Sequence, residues 1–307
     1  MNTIVPTNVE YNSLILKQNL FKLKEVFPFL QITTIGTSVL NDNIYCVQLG
    51  KGKKEIFYSA SIHSNEWITS VLLMKFIEDY CNSFVDNINL YGYSIKNLFE
   101  STTIYIVPMI NPDGVNLVTN YLSKNSNSYK FAKNIANQFN DIPFPNGWKA
   151  NINGVDLNLQ FPAMWEKAKE IKYNQGFNRP APRDFPGPKP LSEPESIALY
   201  NFTLFHNFNL ILSYHTQGGE IYFNFQNITP KKSWYISNQF SKASHYLASN
   251  VPYNSSFAGY KDWFISQYDK PGFTIEAGYG TNPLPISQFD KIYKDNLGIL
   301  ILGATLN

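Results

Sequence analysis

Apolar positions recur along the chain at two spacings, one typical of strands and the other of amphipathic helices. Short β-rich apolar runs predict strands over residues 44–49, 56–62, 103–110, 208–214 and 273–277. Apolar residues at helical spacing predict helices near 11–28, 67–84, 128–139, 192–206, 233–249 and 286–301. Because strands alternate with helices, the pattern predicts an α/β fold with a largely parallel sheet.

Local signals mark some of the boundaries between these elements. Ser64 or Asn65 can cap the helix that follows the strand over 56–62. The stretch NPDG at 111–114 is a strong turn signal after the strand over 103–110. We therefore expect a capped helix start at the first boundary and a tight turn at the second.

Residues 140–192 do not fit the alternation of strands and helices. They are rich in Asn, Pro and Gly, and six prolines fall between Pro180 and Pro194. A long irregular segment inside a compact domain is usually functional or disordered. Since no clean linker is visible, we expect one domain with long active-site loops.

Polar side chains stand where two of the predicted strands end. His63 and Glu66 follow the strand over 56–62, and His215 ends the strand over 208–214. In a chain with 4 His, one His-x-x-Glu by itself is compatible with an ordinary surface turn. Ligand sites of α/β sheets, however, lie at the carboxyl ends of strands. Two imidazoles and a carboxylate, with a fourth position open to water, are the ligand set of a catalytic zinc site.

A further carboxylate, Glu276, lies inside the apolar strand over 273–277. Burying a charged carboxylate is costly, so its position needs a reason. A general base that faces a metal-bound water is one reason, and an ion pair with a nearby lysine is another. The sequence alone does not decide whether Glu276 is a general base or a member of an ion pair.

Composition narrows the classes of protein that remain. The net charge is +2 with mixed signs, which gives no sign of nucleic-acid or membrane binding. The two cysteines, Cys46 and Cys81, are too few for a disulfide scaffold, so we expect buried thiols. No apolar stretch reaches the ~18 residues of a membrane span, and no signal peptide is visible. We expect a cytoplasmic protein, although a cell-wall-associated or exported one whose signal had been removed would look the same. The oligomeric state stays open.

Six motifs then occur in a fixed order: HSNEW, PMINPDG, WKANINGVDLN, GPKPLSEPE, SYHTQG and FTIEAG. In this order they resemble the zinc carboxypeptidases of the carboxypeptidase A-like superfamily, from about residue 30 to the end of the chain. The resemblance implies a single α/β domain with a mixed, roughly eight-stranded twisted sheet flanked by helices. On this basis residues 31–307 form the catalytic domain, and residues 1–30 are a helical lead-in that belongs to the same domain.

The resemblance also implies roles for individual residues. It assigns one zinc ion per chain to His63, Glu66 and His215, and the part of general base and proton shuttle to Glu276. Asp156 corresponds to a carboxylate that orients the first zinc-binding histidine. Without the resemblance, Asp156 in NGVD would be interpreted almost as readily as a turn residue.

Two positions depart from the family pattern. Asn158 corresponds to a substrate-binding asparagine, but Leu159 follows it where the family has an arginine that clamps the C-terminal carboxylate of a peptide. Lys149 follows Trp148 where the family often has an oxyanion-stabilising arginine. Lys149 is therefore a candidate catalytic residue, although on its own it would be interpreted as a surface lysine.

Two further positions concern the substrate. The family places a substrate-covering tyrosine upstream of the DW pair, and Tyr253 and Tyr260 are both candidates, of which we favour Tyr253. Lys261 falls where the family sets side-chain specificity, and a cation there suits a carboxylate of the substrate. The two remaining histidines, His206 and His245, lie on helical patterns and are expected to be packing or surface residues.

The departures, together with GVDLNLQFPAMWE and HTQGGEIYF, are similar to the bacterial γ-D-glutamyl-L-diamino acid endopeptidases. This similarity implies a zinc-dependent hydrolase that cleaves the amide between γ-D-glutamate and diaminopimelate in peptidoglycan stem peptides. A zinc-activated water attacks, and the glutamate acts as general base. The alternatives are a metallocarboxypeptidase that removes a C-terminal residue and an inactive peptide-binding relative.

Overall fold

A computed structural model describes residues 3–306 of the chain. In them, strands cover β1 Gln31–Thr37, β2 Asn43–Leu49, β3 Lys54–Ser59, β4 Asn89–Leu90, β5 Tyr93–Ser94, β6 Thr102–Val107, β7 Leu210–His215, β8 Glu220–Tyr222, β9 Leu247–Ser249 and β10 Gly272–Glu276. Helices cover α1 Ser13–Val26, α2 Ile68–Asp86, α3 Ile95–Ser101, α4 Pro112–Val118, α5 Asn127–Ala136, α6 Trp165–Asn174, α7 Pro194–Leu204, α8 Ser233–Ser244, α9 Tyr260–Tyr268 and α10 Phe289–Thr305.

Eight of these strands form one mixed sheet in the order β1-β2-β6-β3-β7-β10-β8-β9. The four central strands β6, β3, β7 and β10 run parallel to one another. The outer strands β1 and β2 and the strand β8 join the sheet antiparallel to their inner neighbours. The expectation of a single α/β domain with a mixed, eight-stranded sheet is confirmed, and the parallel part is its centre.

Apolar side chains cover both faces of the central strands. Along β3, Ile56 and Tyr58 pack into one hydrophobic cluster and Phe57 packs into the other, as the alternation of side chains along a strand requires. Every residue of β7 is buried. Burial on both faces explains why the central strands are continuous apolar runs in the sequence.

The predictions of local structure are confirmed in part: the helix predicted near 233–249 ends at Ser244, residues Leu247–Ser249 form β9 instead, and α6 and α9 were not predicted. The helix near 11–28 is α1, which buries Leu16, Leu20 and Leu23. The strand β1 was not predicted, because none of its residues is fully buried.

The division at residue 30 stays a prediction. Cys46 and Cys81 are buried and unpaired, as expected.

Two predictions about boundaries are wrong. The NPDG stretch is not a tight turn but the start of α4, where the side chain of Asn111 accepts a hydrogen bond from the Gly114 amide at 3.0 Å. Neither Ser64 nor Asn65 caps α2, because both belong to a 3₁₀ helix that precedes it. The Ser64 hydroxyl instead donates to the Trp148 carbonyl at 2.7 Å. No helix within residues 3–306 combines the length and apolarity needed to cross a membrane.

Candidate metal centre and active site

The candidate site lies at the carboxyl ends of three parallel central strands. His63 follows β3 by four residues, and His215 and Glu276 are the last residues of β7 and β10. His215 and Glu276 are direct register partners in the sheet. The sheet therefore brings together residues that are more than 200 positions apart in the sequence, at the edge where ligands of α/β sheets bind.

Two histidines and a glutamate form a buried cluster at this edge. Nδ1 of His63 lies 3.0 Å from Oε1 of Glu66, and Nδ1 of His215 lies 3.0 Å from Oε2 of Glu66. The two Nδ1 atoms are 3.1 Å apart. Converging imidazole nitrogens and carboxylate oxygens suit zinc, and these groups could hold a metal ion.

The turn that carries His63 and Glu66 is held by buried hydroxyl groups. The Thr69 hydroxyl donates to the Glu66 carbonyl at 2.7 Å, and the Ser61 and Ser70 hydroxyls lie 2.7 Å apart. On its other side, the Ser64 amide donates to the Lys149 carbonyl at 3.1 Å. The ligand turn is thus tied to α2 and to the segment that carries Lys149.

Asp156 supports His63 from the side opposite the cluster. Its Oδ1 atom lies 3.2 Å from Nε2 of His63, and the Asn158 amide also donates to Oδ1, at 3.1 Å. Burial raises the pKa of Asp156, but the positive charges of His63 and Lys149 outweigh burial and hold the pKa well below its ordinary value. A carboxylate that accepts from Nε2–H leaves Nδ1 with a lone pair for a metal.

Opposing effects act on the protonation of the cluster itself. Burial lowers the pKa of His63, but the negative charges of Glu66 and Asp156 outweigh it and raise the pKa to about 9. Burial also lowers the pKa of His215. Here the negative charge of Glu66 does not offset burial, so the pKa of His215 stays below its ordinary value. Burial raises the pKa of Glu66, yet the cations around it hold the pKa well below its ordinary value. A metal ion bound by these groups would compete with protons for the same nitrogen and oxygen atoms.

Glu276 lies in the wall of the cavity that opens above this cluster. Burial, and then the negative charge of Glu66, raise the pKa of the Glu276 carboxyl to about 8. Within residues 3–306, Glu276 forms no ion pair with a lysine. Its carboxyl group therefore belongs to the cavity rather than to a structural ion pair.

Lys149 reaches the cluster from the loop after Trp148. Its Nζ lies 3.6 Å from Oε1 of Glu66, and its side chain is 20% exposed. Burial lowers the pKa of Lys149, but Glu66 and Asp156 outweigh burial and raise it. Lys149 is thus a charged residue beside the metal ligands, not a solvated surface lysine.

Two residues expected to bind the substrate lie in the cavity wall, and one of them already has an ion-pair partner within the protein. Asn158 and Lys261 line the cavity. Nζ of Lys261 already donates to the Asn224 carbonyl at 2.5 Å and pairs with Oδ1 of Asp262 at 2.6 Å. Its charge is therefore compensated within the protein.

The two candidate tyrosines differ completely in exposure. Tyr260 is 1% exposed, and its hydroxyl lies 2.9 Å from that of Thr203. Tyr253 is 60% exposed and follows Pro252, which lines the cavity. Of the two, only Tyr253 has an exposed side chain, and its ring contacts Phe257 with centroids 5.1 Å apart.

The histidines at 206 and 245 lie outside the cluster. His206 stacks on Phe208 with ring centroids 4.8 Å apart, and His245 is exposed at the end of α8. The expectation that they are packing and surface residues is confirmed.

Three charged residues of segment 140–192 that line the cavity were not predicted. Lys172, Arg183 and Asp184 all line the cavity. Lys172 lies on α6, a helix within the segment expected to be irregular, and Arg183 and Asp184 lie beyond it in a stretch that has no periodic pattern to place them. One signal was available, because the chain contains only two arginines, Arg179 and Arg183, and both lie in this segment.

The fold, a cluster of two histidines and a glutamate that could hold a metal ion, and a separate carboxylate in the same cavity are together those of a metallopeptidase. Comparison with known proteins gives the family: the sequence profile of the zinc carboxypeptidases matches residues 16–298, and the chain belongs to this family. The resemblance inferred from the six motifs is confirmed.

Individual relatives are also similar to the chain. It is 45% identical over 296 residues to γ-D-glutamyl-L-diamino acid endopeptidase 1 of Lysinibacillus sphaericus, across 96% of this chain and 72% of that protein. It is 41% identical over 293 residues to an uncharacterized protein of Bacillus subtilis, across 94% of this chain and 76% of that protein. The solved structure of thrombin-activatable fibrinolysis inhibitor shares the fold, with a TM-score of 0.78, 17% identity, and coverage of 99% of this chain and 77% of that one.

Proposed function

We propose that the protein binds one zinc ion through His63, Glu66 and His215 and hydrolyses the amide between γ-D-glutamate and an L-diamino acid, diaminopimelate, in peptidoglycan stem peptides. The observation that carries this proposal is the 45% identity, over 96% of the chain, to an enzyme named for that bond. The buried ligand cluster and the opposing Glu276 support the same reaction class.

The wall of the cavity beside Asn158 supports an endopeptidase over a carboxypeptidase. Leu159 lines the cavity and is 8% exposed. A leucine offers no hydrogen-bond donor to a peptide carboxylate, whereas an arginine offers a planar pair. The position where carboxypeptidases clamp the C-terminus therefore has no charge here.

A few side chains have separate roles in the proposed reaction. A zinc ion held by His63, Glu66 and His215 would supply Lewis-acid chemistry, which would polarise the scissile carbonyl and lower the pKa of water. The positive charge of a bound metal would lower the raised pKa of Glu276, and the ionised Glu276 takes a proton from the attacking water and then delivers it to the leaving nitrogen. Lys149 places a positive charge where the oxyanion develops, and Asp156 keeps His63 in the tautomer with Nδ1 free.

Product analysis with a blocked peptide tests the proposal. The substrate is L-Ala-γ-D-Glu-diaminopimelate with a C-terminal amide, incubated with and without a chelator and examined by mass spectrometry. We expect release of L-Ala-D-Glu, which the chelator abolishes. Exposed Glu170 on α6 provides the control variant Glu170→Gln, which should cleave like wild type.

Two other results would each support a rival function. Cleavage of the unblocked peptide only, with loss of its last residue, would indicate a carboxypeptidase. Zinc bound at one per chain without hydrolysis of either peptide would indicate an inactive peptide-binding protein.

A further inference from the structure

One wall of the cavity carries a cluster in which a single carboxylate faces two cations. Oδ1 of Asp184 lies 2.5 Å from Nζ of Lys172, and Oδ2 of Asp184 lies 2.6 Å from Nε of Arg183. Arg183 forms an ion pair with no other carboxylate within residues 3–306. The cluster of Lys172, Arg183 and Asp184 therefore keeps a net positive charge.

The two cations of this cluster differ in their access to the cavity. The Lys172 side chain is 9% exposed, and the Arg183 side chain is 44% exposed. The buried lysine must be neutralised by the aspartate, because an unpaired buried charge is costly. Arg183 is thus the member of the cluster that can bind an anion in the cavity.

The backbone before Arg183 is fixed to the segment that carries Lys149. The amides of Lys149 and Ala150 donate to the Pro182 carbonyl at 2.7 and 3.0 Å. Lys149 in turn lies 3.6 Å from the metal-ligand carboxylate. These hydrogen bonds place the arginine and the candidate oxyanion lysine on neighbouring backbone segments.

The backbone after Arg183 is fixed to Asp156. The Asp184 amide donates to Oδ2 of Asp156 at 3.2 Å, and the Asp156 amide donates to the Phe185 carbonyl at 2.8 Å. Asp184 has a φ of +64°, a conformation that non-glycine residues adopt at a cost and that clusters at functional sites. Arg183 is therefore held from both sides by the segments that build the metal centre.

We propose that Arg183 is the specificity-determining residue that binds the free α-carboxylate of the γ-D-glutamyl residue. This inference rests on the proposed function. In a γ-linked glutamate the side-chain carboxyl forms the scissile amide, so the α-carboxylate stays free and lies four covalent bonds from the scissile carbon. A guanidinium binds such a carboxylate with two parallel hydrogen bonds, and Arg183 lines the cavity beside Lys149.

Other cations of the cavity are poorer candidates for this carboxylate. Lys261 is 4% exposed and paired with Asp262. Lys172 is nearly as buried and paired with Asp184. Lys149 lies beside Glu66, where the oxyanion forms. Arg183 combines a 44% exposed side chain with a charge that is only partly compensated, because its one ion-pair partner, Asp184, also neutralises Lys172.

A pair of substrates isolates the interaction. One is L-Ala-γ-D-Glu-diaminopimelate, and the other is the matching D-isoglutamine peptide, in which only the α-carboxylate is replaced by a carboxamide. The measurement is kcat/KM for both peptides with wild type, Arg183→Gln and Arg183→Lys. We expect wild type to prefer the carboxylate peptide by about 10- to 100-fold, the range for a hydrogen-bonded charge. Arg183→Gln should reduce this preference to near unity, and Arg183→Lys should give an intermediate value.

The chain offers a matched control in its other arginine. Arg179 is exposed and lies outside the cavity, so Arg179→Gln should keep the wild-type preference. Melting temperature and zinc content of each variant show whether it is folded and loaded.

The outcomes separate this inference from the proposed function. If wild type cleaves the carboxylate peptide but Arg183→Gln slows both peptides equally or neither, the assignment of Arg183 fails alone. The same peptides with C-terminal amides give a further check. If Arg183→Gln lowers kcat/KM only for peptides with a free C-terminal carboxylate, Arg183 binds that carboxylate and the assignment also fails. If wild type cleaves neither peptide, both the proposed function and the inference fail.

Discussion

Replacing Asp156 by asparagine tests how the site holds its metal. The carboxylate lies 3.2 Å from Nε2 of His63 and also accepts the amides of Asn158 and Asp184. An asparagine has nearly the same shape, but it presents one oxygen and one NH₂ group. If its oxygen faces His63, its NH₂ faces the Asp184 amide, and if it is turned round, the NH₂ faces His63. In the first orientation one favourable contact becomes repulsive, and in the second the contacts with both His63 and the Asn158 amide do, since both meet the same oxygen of Asp156.

The size of the effect follows from these contacts. A hydrogen bond to a charged group contributes about 1.5–3 kcal/mol, and a neutral one about 0.5–1.5 kcal/mol. The change at His63 is therefore about 1–2 kcal/mol, and since ~1.4 kcal/mol is tenfold, this alone weakens zinc binding about 5- to 30-fold. With the repulsive contact added, the zinc Kd of Asp156→Asn should rise by about 10- to 100-fold, as for other partners of metal ligands.

The assay is a competition for zinc between the protein and a chromophoric chelator. Asp262→Asn is the matched control, because Asp262 is also buried in the cavity wall but pairs with Lys261 rather than with a metal ligand. We expect its zinc affinity to equal that of wild type. At saturating zinc, Asp156→Asn should recover part of its activity, because its main defect is in holding the metal.

Two results would refute this reasoning. Equal zinc affinity for Asp156→Asn and wild type would show that Asp156 does not support the metal ligand. An equal loss of zinc affinity in Asp262→Asn would show that removing any buried charge from the cavity wall weakens zinc binding.

Three further predictions follow. Glu276→Gln should keep zinc at one per chain and lose about 100-fold or more of kcat; substantial residual turnover would contradict its role as general base. Because Lys261 is 4% exposed and already paired with Asp262, Lys261→Ala should leave the preference for diaminopimelate over lysine peptides unchanged, and a lowered preference would show that Lys261 binds the substrate. Burial raises the pKa of Glu195 from 4.5 to about 8, so the folded protein keeps a proton that the unfolded chain releases, and the free energy of unfolding falls as pH rises between these values. Denaturant unfolding at pH 5 and pH 8 should show a smaller fall for Glu195→Gln than for wild type, and equal falls would contradict the assignment.

The sequence predicts the central part of the fold because that part is encoded locally. The strands β3, β7 and β10 are buried over most of their length and therefore appear as mostly apolar runs. His63 and His215 could be placed at strand ends for the same reason. The order of the strands is not local information, since it depends on pairing between segments far apart in the chain.

The cavity wall could not be predicted in the same way. The conformation of the segment around Arg183 is set by hydrogen bonds to Lys149, Ala150 and Asp156, and such contacts leave no periodic pattern. The choice between Tyr253 and Tyr260 likewise depends on packing, because only the structure buries Tyr260. The cellular location and the division at residue 30 stay predictions.

The most direct test of the proposed function is the mass of the products from the tetrapeptide L-Ala-γ-D-Glu-diaminopimelate-D-Ala. Cleavage at the γ-D-glutamyl bond predicts L-Ala-D-Glu and diaminopimelate-D-Ala, in equal amounts and only with zinc present. Release of free D-Ala, with the remaining tripeptide intact, would contradict the proposed function and indicate a carboxypeptidase.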